Sequence, residues 1–168
     1  MRETGTNSMI DAATLTIRDA APDDLPTAHA VTQAAYGQIK PIIGDQAHVF
    51  GETTDDLAQR MADGWMVLVA ESNEQIIGAV RCQAHEGEMY LGRLAVLPNA
   101  QNAGVGRALV AAVEMRGRDL NLPAVRLGSY EDVAQSRPYY ERLGYHADER
   151  VELRSAPGRY FWIMRKQL

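Results

Sequence analysis

The sequence has little of what several functional classes require. Cys82 is the only cysteine among 168 residues, which excludes an intrachain disulfide and a cysteine-based metal site. The four histidines are scattered without the spacing of metal ligands, so we predict no metal. No apolar run is long enough to cross a bilayer, and residues 1–13 lack the apolar segment of a secretion signal. We therefore expect a cytoplasmic protein that has no membrane partner.

The chain also lacks a basic excess. Its net charge is −5, whereas a nucleic-acid binder usually carries a basic face, so we predict no nucleic-acid partner. Residues 1–84 carry 12 acidic and five basic side chains, whereas residues 85–168 carry 10 and 12. The acidic first half is compatible with a cationic substrate. Solvated faces also explain the imbalance, and they are the preferred interpretation.

The pattern of apolar residues predicts one α/β domain. With 46% apolar residues the chain can bury a substantial core, and we expect residues 14–168 to form a single domain after a disordered leader over 1–13. The predicted order is strand, two helices, three strands, helix, strand, helix and two strands. We predict strands over 14–18, 65–71, 76–84, 88–96, 124–130, 145–153 and 159–164, and helices ending near 36 and 63 and spanning 104–119 and 136–143. Residues 37–51 are predicted to be an irregular loop.

The most informative stretch is residues 91–109, which read LGRLAVLPNAQNAGVGRAL. An apolar strand pattern ends at Pro98, a short polar loop follows, and Gly104 and Gly106 open a helical pattern. The first N–H groups of a helix lack partners within the helix, and glycines allow an anion to approach the backbone closely. The stretch therefore predicts a site for the pyrophosphate of a nucleotide-containing cofactor.

Two motifs resemble those of one family. Gln101-x-x-Gly104-x-Gly106 is similar to motif A of the GCN5-related N-acetyltransferase (GNAT) superfamily, and residues 139–145, YYERLGY, resemble its (F/L)Y-x-(K/R)-x-G-(F/Y) segment. The resemblance covers residues 14–168. It implies the GNAT-like acyl-CoA N-acyltransferase fold, a central mixed seven-stranded sheet flanked by helices. It also implies acetyl-CoA as co-substrate and direct transfer of the acetyl group to an amine.

The resemblance assigns the cofactor contacts residue by residue. Backbone groups on the strand would pair with the pantetheine arm, and the glycine loop would hold the pyrophosphate. The implied cofactor-binding residues are Leu94, Ala95, Val96, Gln101, Asn102, Ala103, Gly104, Val105, Gly106, Arg107 and Tyr140. The chain departs from the family pattern because Asn102 and Ala103 are neutral where relatives carry Arg or Lys. It also has Val133 where an Asn is common, which removes one cofactor contact.

Catalysis requires a base for the acceptor amine and benefits from an acid for the leaving thiolate. Tyr140 matches the family position of the acid, and packing in the core is the alternative. The N–H of Leu94 would face the thioester oxygen and stabilise developing charge. Glu88 is the candidate base because positions 88 and 94 share a face in a regular strand. A bulge at Gly92 would break that alternation, and a water-relayed base is an equal alternative.

The acceptor is less well defined by the sequence. We expect the acceptor to be a small amine, and a protein N-terminus or a lysine is the alternative acceptor. Whether the chain forms a homodimer stays open. Arg93 is either structural or a substrate contact. The loop after the first helix supplies candidate pocket residues: Tyr36, Ile39, Pro41, Ile42 and His48. The alternative function is a non-catalytic acyl-CoA-binding or regulatory module on the same fold. The missing G-x-x-x-x-G-K-[ST] motif counts against a kinase.

Overall fold

A computed structural model describes residue 10 and residues 12–168, in which seven strands form one mixed sheet with helices on both faces. This confirms the predicted fold class. The predicted leader lies mostly outside the described residues, and Ala12–Thr14 is a short 3-10 helix. The strands are β1 (Thr16–Asp19), β2 (Met66–Ser72), β3 (Gln75–His85), β4 (Glu88–Val96), β5 (Ala124–Tyr130), β6 (His146–Glu152) and β7 (Tyr160–Gln167).

Six α-helical segments are present among the described residues. They are α1 (Leu25–Gly37), α2 (Lys40–Ile43), α3 (His48–Gly51), α4 (Thr54–Ala62), α5 (Val105–Asp119) and α6 (Ser136–Arg142). A capping box begins α4, since Thr53 Oγ1 accepts from the Asp56 N–H at 3.1 Å and the Asp56 carboxylate accepts from the Thr53 N–H at 2.8 Å. In the described part of the chain, no helix is both long and apolar enough to span a bilayer.

The prediction of an irregular loop over residues 37–51 was wrong, because the one-turn helices α2 and α3 lie there. Ile43 and Val49 on these turns are buried, and they pack with Val133 in a small separate core. Helices of one turn are not stable on their own, and their sequence carries no helical periodicity. Tertiary packing therefore holds this segment in helical turns that a local pattern does not reveal.

The sheet has the order β1-β2-β3-β4-β5-β7-β6. Its neighbours are antiparallel except β4 and β5, which run parallel and are connected through α5. Parallel neighbours require such a crossover, and the predicted βαβ unit is confirmed. This unit carries the glycine loop at the end of β4. The paired residues of β4 and β5 extend only from Met89 to Leu91 and from Val125 to Leu127.

Two cores form on the two faces of the sheet. Val80 on β3 faces the core that includes Leu109 and Val113 of α5. The adjacent Ala79 faces the other core, which includes Ala28 of α1 and Leu57 of α4. This alternation is typical of a strand that is covered on both faces. The helices on both sides pack against β3 and β4, so the glycine loop follows a strand that is covered on both faces.

Candidate active site

The loop between β4 and α5 has unpaired backbone donors. Asn102 and Gly104 adopt left-handed conformations, with φ of 63° and 84°. The Ala108 N–H donates to the Gly104 carbonyl, whereas among the described residues the N–H groups of 101–107 have no backbone acceptor. Free N–H groups at the start of a helix, combined with its dipole, form an anion site. The predicted pyrophosphate site is therefore open to a ligand.

A bulge interrupts β4 just before this loop. Ala79 opposes Ala95 while Arg81 opposes Gly92, which leaves one extra residue in β4. Arg93 lies in the bulge with a left-handed φ of 52°. The extra residue shifts the alternation, so Leu94 packs against the α5-side core that contains Leu91. The conditional prediction of a broken alternation is confirmed.

The backbone of β4 faces an open gap beyond the bulge. The Leu97 N–H donates to the Ile77 carbonyl on β3 at 2.9 Å. Because amide groups alternate in direction along an antiparallel strand, those of Leu94 and Val96 point to the opposite side, where β5 has diverged. The Val96 carbonyl accepts from Gln101 Nε2 at 3.1 Å, and its second lone pair is available. An extended ligand can pair with this edge as an added strand does.

The gap opens into a cleft of about 760 Å³. Its walls come from the C-terminal end of α1, from β4, from the glycine loop, from β5 and from α6. The predicted cofactor residues that line it are Leu94, Val96, Gln101, Asn102, Gly104, Val105, Gly106, Arg107 and Tyr140. Ala95 is buried in the sheet and Ala103 is exposed outside the lining, so neither side chain faces the cleft.

Only some of the residues predicted to contact the acceptor line the cleft. Tyr36, Ile39 and Ile42 line the cleft, whereas Pro41 and His48 do not. Val133 lines it as well, so an apolar side chain stands at the position where the family commonly has a polar cofactor contact. This end of the cleft is largely apolar.

Tyr140 stands in the wall formed by α6. Its ring lies edge-on to Tyr139 at 5.1 Å and to Tyr145 at 5.9 Å between centroids. Its hydroxyl has no hydrogen-bond partner among the described residues. Burial, followed by the nearby Tyr36, raises the pKa of Tyr140. The phenol therefore stays protonated at neutral pH, and its hydroxyl is free for a ligand.

Glu88 lies at the other end of β4 and does not line the cleft. Its carboxylate accepts from Arg165 Nε at 2.8 Å and from Nη2 at 3.0 Å. The bidentate pair with Arg165 occupies both carboxylate oxygens at a place outside the cleft. The geometry gives no support to Glu88 as the base, which leaves the water-relayed alternative.

A group that the sequence analysis missed lies beside the bulge. The Glu52 carboxylate is 9% exposed and accepts from Arg81 at 2.7 Å and from Arg60 at 3.1 Å. Arg93 Nε lies 3.5 Å from its second oxygen. Burial raises the pKa of Glu52, but the hydrogen bond from Arg81 and the three positive charges outweigh it and leave that pKa lowered. The sequence contains one indication of this group, because Arg81 interrupts the apolar pattern of β3 and a buried arginine needs a partner of opposite charge.

Two further cleft residues were not predicted as ligand contacts. A Cβ at Gly106 would lie 2.6 Å from the Tyr139 hydroxyl, so Tyr139 covers the start of α5. Arg142, in the YYERLGY segment, is exposed and lines the cleft one turn further along α6. Its place in the recognised motif was a usable signal. The contact of Tyr139 with Gly106 depends on tertiary packing and had none.

Comparisons with known proteins agree with this geometry. A model of the Acetyltransferase (GNAT) family matches residues 36–145. A mycothiol acetyltransferase of Thermomonospora curvata is 34% identical over 100 residues, which cover 55% of this chain and 33% of the relative. A ribosomal-protein-bS18-alanine N-acetyltransferase of Haemophilus influenzae is 27% identical over 104 residues, which cover 62% of this chain and 70% of the relative. The chain thus spans about a third of the mycothiol acetyltransferase.

A solved structure shares the fold. The PaiA N-acetyltransferase of Thermoplasma acidophilum, in complex with coenzyme A, has a TM-score of 0.77 and 16% identity, and the match covers 92% of this chain and 99% of that chain. The matched family region runs from the end of α1 to Tyr145, so it includes both motifs and most of the cleft. The family predicted from the motifs is confirmed: the chain belongs to the acetyltransferase (GNAT) family.

Proposed function

We propose that residues 14–168 form a single acetyl-CoA-dependent N-acetyltransferase domain that moves an acetyl group directly to the amine of a small molecule. One observation carries the proposal. A free helix start, a free strand edge and a free tyrosine hydroxyl face one cleft, in the order that the pyrophosphate, pantetheine and thioester of acetyl-CoA require. Family membership and the coenzyme A complex of the related fold support the cofactor.

In this proposal the backbone provides most of the cofactor site. The N–H groups of residues 101–107 bind the pyrophosphate, and Arg107 and Arg142 add positive charge, since neither has an ion-pair partner among the described residues. The pantetheine extends along Leu94 and Val96 in the gap left by β5. The neutral Asn102 is then no defect, because its left-handed backbone, and not its side chain, shapes the site.

The chemistry follows from the two ends of the thioester. The N–H of Leu94 stabilises the negative charge that develops on the carbonyl oxygen as the amine attacks. Tyr140 protonates the departing thiolate. Its raised pKa keeps the phenol protonated but makes it a weaker acid than the thiol, so this step depends on close positioning of the hydroxyl. No carboxylate lines the cleft among the described residues. The amine therefore loses its proton through water, and we expect the rate to rise with pH towards the pKa of the amine.

The acceptor class is part of the proposal. One relative is named for mycothiol and another for an alanine of a ribosomal protein, so the names do not select between small and protein acceptors. The largely apolar lining of the acceptor end favours a small amine. The alternative, a non-catalytic acyl-CoA-binding module, predicts cofactor binding without transfer.

A panel of amines, followed by release of free CoA with a thiol reagent, tests the proposal. The single protein thiol does not interfere, because Cys82 is fully buried and burial raises its pKa to about 12. We expect Tyr140→Phe to lower kcat by about 100-fold, the effect of losing a general acid, while acetyl-CoA affinity changes little. Tyr160→Phe, outside the cleft, is the matched control. Wild-type kcat in Tyr140→Phe would contradict the acid role, and binding without transfer to any amine would favour the non-catalytic module.

A further inference from the structure

The charge of the cleft restricts which amines can enter it. Arg93, Arg107 and Arg142 are its charged lining residues, and no Asp, Glu, Lys or His is among the described residues that line it. A site for a polycation normally offers carboxylates, because like charges in a cleft repel the ligand. The excess acidic side chains of the first half of the chain therefore lie outside the cleft. The cleft favours an acceptor that carries negative charge.

The three arginines stand at different ends. Arg107 lies in the first turn of α5, and Arg142 lies one turn along α6 from Tyr139, whose hydroxyl covers Gly106. These two belong to the phosphate end. Arg93 lies in the bulge of β4 immediately before Leu94, and its guanidinium lies 5.9 Å from the ring of Tyr36. It is thus the cation of the acceptor end.

Arg93 has unused donors. Its Nε is buried and lies 3.5 Å from Glu52 without forming a hydrogen bond, and its two Nη groups donate no hydrogen bond to another described residue. The carboxylate of Glu52 is already occupied by Arg81 at 2.7 Å and Arg60 at 3.1 Å. Three guanidinium groups therefore share one carboxylate. A second carboxylate at Arg93 would complete the pairing.

The backbone supports a functional role for this side chain. Arg93 holds a left-handed φ of 52°, a conformation that costs a residue with a side chain free energy. The bulge places the guanidinium at the cleft wall while Glu52 and Tyr36 limit its movement, and its side chain is 22% exposed. A partly desolvated, oriented guanidinium binds a carboxylate through two parallel hydrogen bonds better than a surface arginine does.

We propose that Arg93 binds a carboxylate of the acceptor, so that the substrate class is a small amino acid whose apolar side chain contacts the wall formed by Tyr36, Ile39 and Ile42. This inference rests on the proposed function and narrows it. Arg93 fixes the carboxylate, and the amine attached to the same carbon then faces the thioester at Leu94. Glu52 acts as a positioning residue that orients Arg93.

The test compares kcat/KM for a panel of amino acids, each paired with its amide and with its decarboxylated amine, and includes spermidine as a polycation. We expect the carboxylate to be preferred over the amide. The ratio of carboxylate to amide should fall about 10- to 100-fold in Arg93→Gln, the effect of losing the charged pair between guanidinium and carboxylate. An amino acid and its amide also differ in the basicity of their amines. This difference cancels when the ratio for wild type is compared with the ratio for the variant, because both enzymes receive the same pair of substrates.

Two further variants make the result specific. Arg93→Lys keeps the positive charge and should keep part of the ratio. Arg126→Gln removes an arginine that is paired with Glu86 at 2.8 Å outside the cleft, and the ratio should not change. Acetyl-CoA binding shows that each variant is folded. Transfer to amides or spermidine, with a carboxylate-to-amide ratio that is unchanged in Arg93→Gln, would overturn this inference and leave the proposed function standing. Acetyl-CoA binding with no transfer to any member would overturn both.

Discussion

Glu114 is a buried carboxylate that the core accommodates through its partners. It lies on α5, is 6% exposed, and accepts a hydrogen bond from the Tyr145 hydroxyl at 3.1 Å. The Lys166 ammonium group donates to both of its oxygens, at 2.9 and 3.1 Å. Burial, followed by the charge of Glu114, raises the pKa of Tyr145 and keeps its hydroxyl protonated as a donor. The network joins α5 to β7 and to the end of the YYERLGY segment.

We expect Glu114→Ala to lower the free energy of unfolding by about 2 kcal/mol, because Tyr145 would keep a buried O–H without an acceptor and Lys166 would lose its pair. Urea unfolding at pH 7 measures this. Glu141→Ala removes an exposed carboxylate from a surface pair with Arg137 and should change stability by less than about 0.5 kcal/mol. Equal losses of unfolding free energy in the two variants would show that the buried network stabilises the protein no more than a surface ion pair does.

The residues of the site and the buried carboxylates differ in how far the sequence predicts them. The glycine loop and Tyr140 could be found because each motif is contiguous and its spacing is characteristic. Glu114 and Glu52 could not, since their partners Tyr145 and Arg81 lie 31 and 29 residues away. A buried ion pair leaves only the weak signal of a charged residue within an apolar pattern. Which distant charge satisfies it is decided by the tertiary structure.

At the scale of elements, local periodicity predicts the centre of the molecule well. The predicted bounds of β4 and β5 are the observed ones, because both strands read as apolar runs between clear turns. The bulge is different. Gly92 indicated an irregularity, but the left-handed residue is Arg93, and only the pairing with β3 determines which residue takes it. The helical turns α2 and α3 depend on packing in the same way.

The start of α5 combines helix geometry with ligand geometry. Gly106 lies in the first turn, where alanine would favour the helix by about 0.5–1 kcal/mol. A glycine is present because a Cβ would lie 2.6 Å from the Tyr139 hydroxyl. Tyr139 and Gly106 both line the cleft, so this contact sets the width of the proposed pyrophosphate site.

We expect Gly106→Ala to weaken CoA binding by about tenfold, since Tyr139 must move into the space of the ligand. Combining it with Tyr139→Phe removes the clashing oxygen and should restore part of the affinity, so the two changes are coupled. Isothermal titration with CoA measures the cycle. Gly117→Ala is the control on the same helix. Its Cβ would lie 2.5 Å from the Leu168 side chain, and this contact is outside the cleft. It should lower stability and leave CoA affinity unchanged, and purely additive effects of Gly106→Ala and Tyr139→Phe would contradict the coupling.

At the scale of the whole molecule, one carboxylate joins the helical layer to the sheet. Glu52 follows α3 and pairs with Arg60 on α4, Arg81 on β3 and Arg93 on β4. Of these elements, β4 lines the cleft through Arg93. The arrangement has one negative and three positive charges, so protonation of Glu52 leaves the guanidinium groups with no opposing charge. The stability of this side of the molecule therefore depends on pH.

The direction follows from the lowered pKa of Glu52, which the hydrogen bond and the positive charges produce in spite of burial. A carboxyl group whose pKa is lower in the folded state stabilises the protein above its unfolded pKa, about 4.3. That contribution is lost as the pH falls through the folded pKa. Glu52→Gln removes the charge at every pH, and we expect it to cost about 3 kcal/mol at pH 7, as breaking a buried ion pair does.

The difference between wild type and Glu52→Gln in urea unfolding should therefore be largest near pH 7 and shrink as the pH falls below the unfolded pKa of about 4.3, as Glu52 in the wild type becomes neutral. Glu149→Gln, at an exposed position with no ion-pair partner among the described residues, should match wild type throughout. A difference that stays constant from pH 7 to pH 3 would mean that the glutamine disturbs packing and not charge. If the difference in unfolding free energy shrinks, the acid sensitivity comes from the cluster of Glu52 and its arginines, which orients Arg93. The preference of the enzyme for the carboxylate substrate should then be lost over the same pH range as the stability.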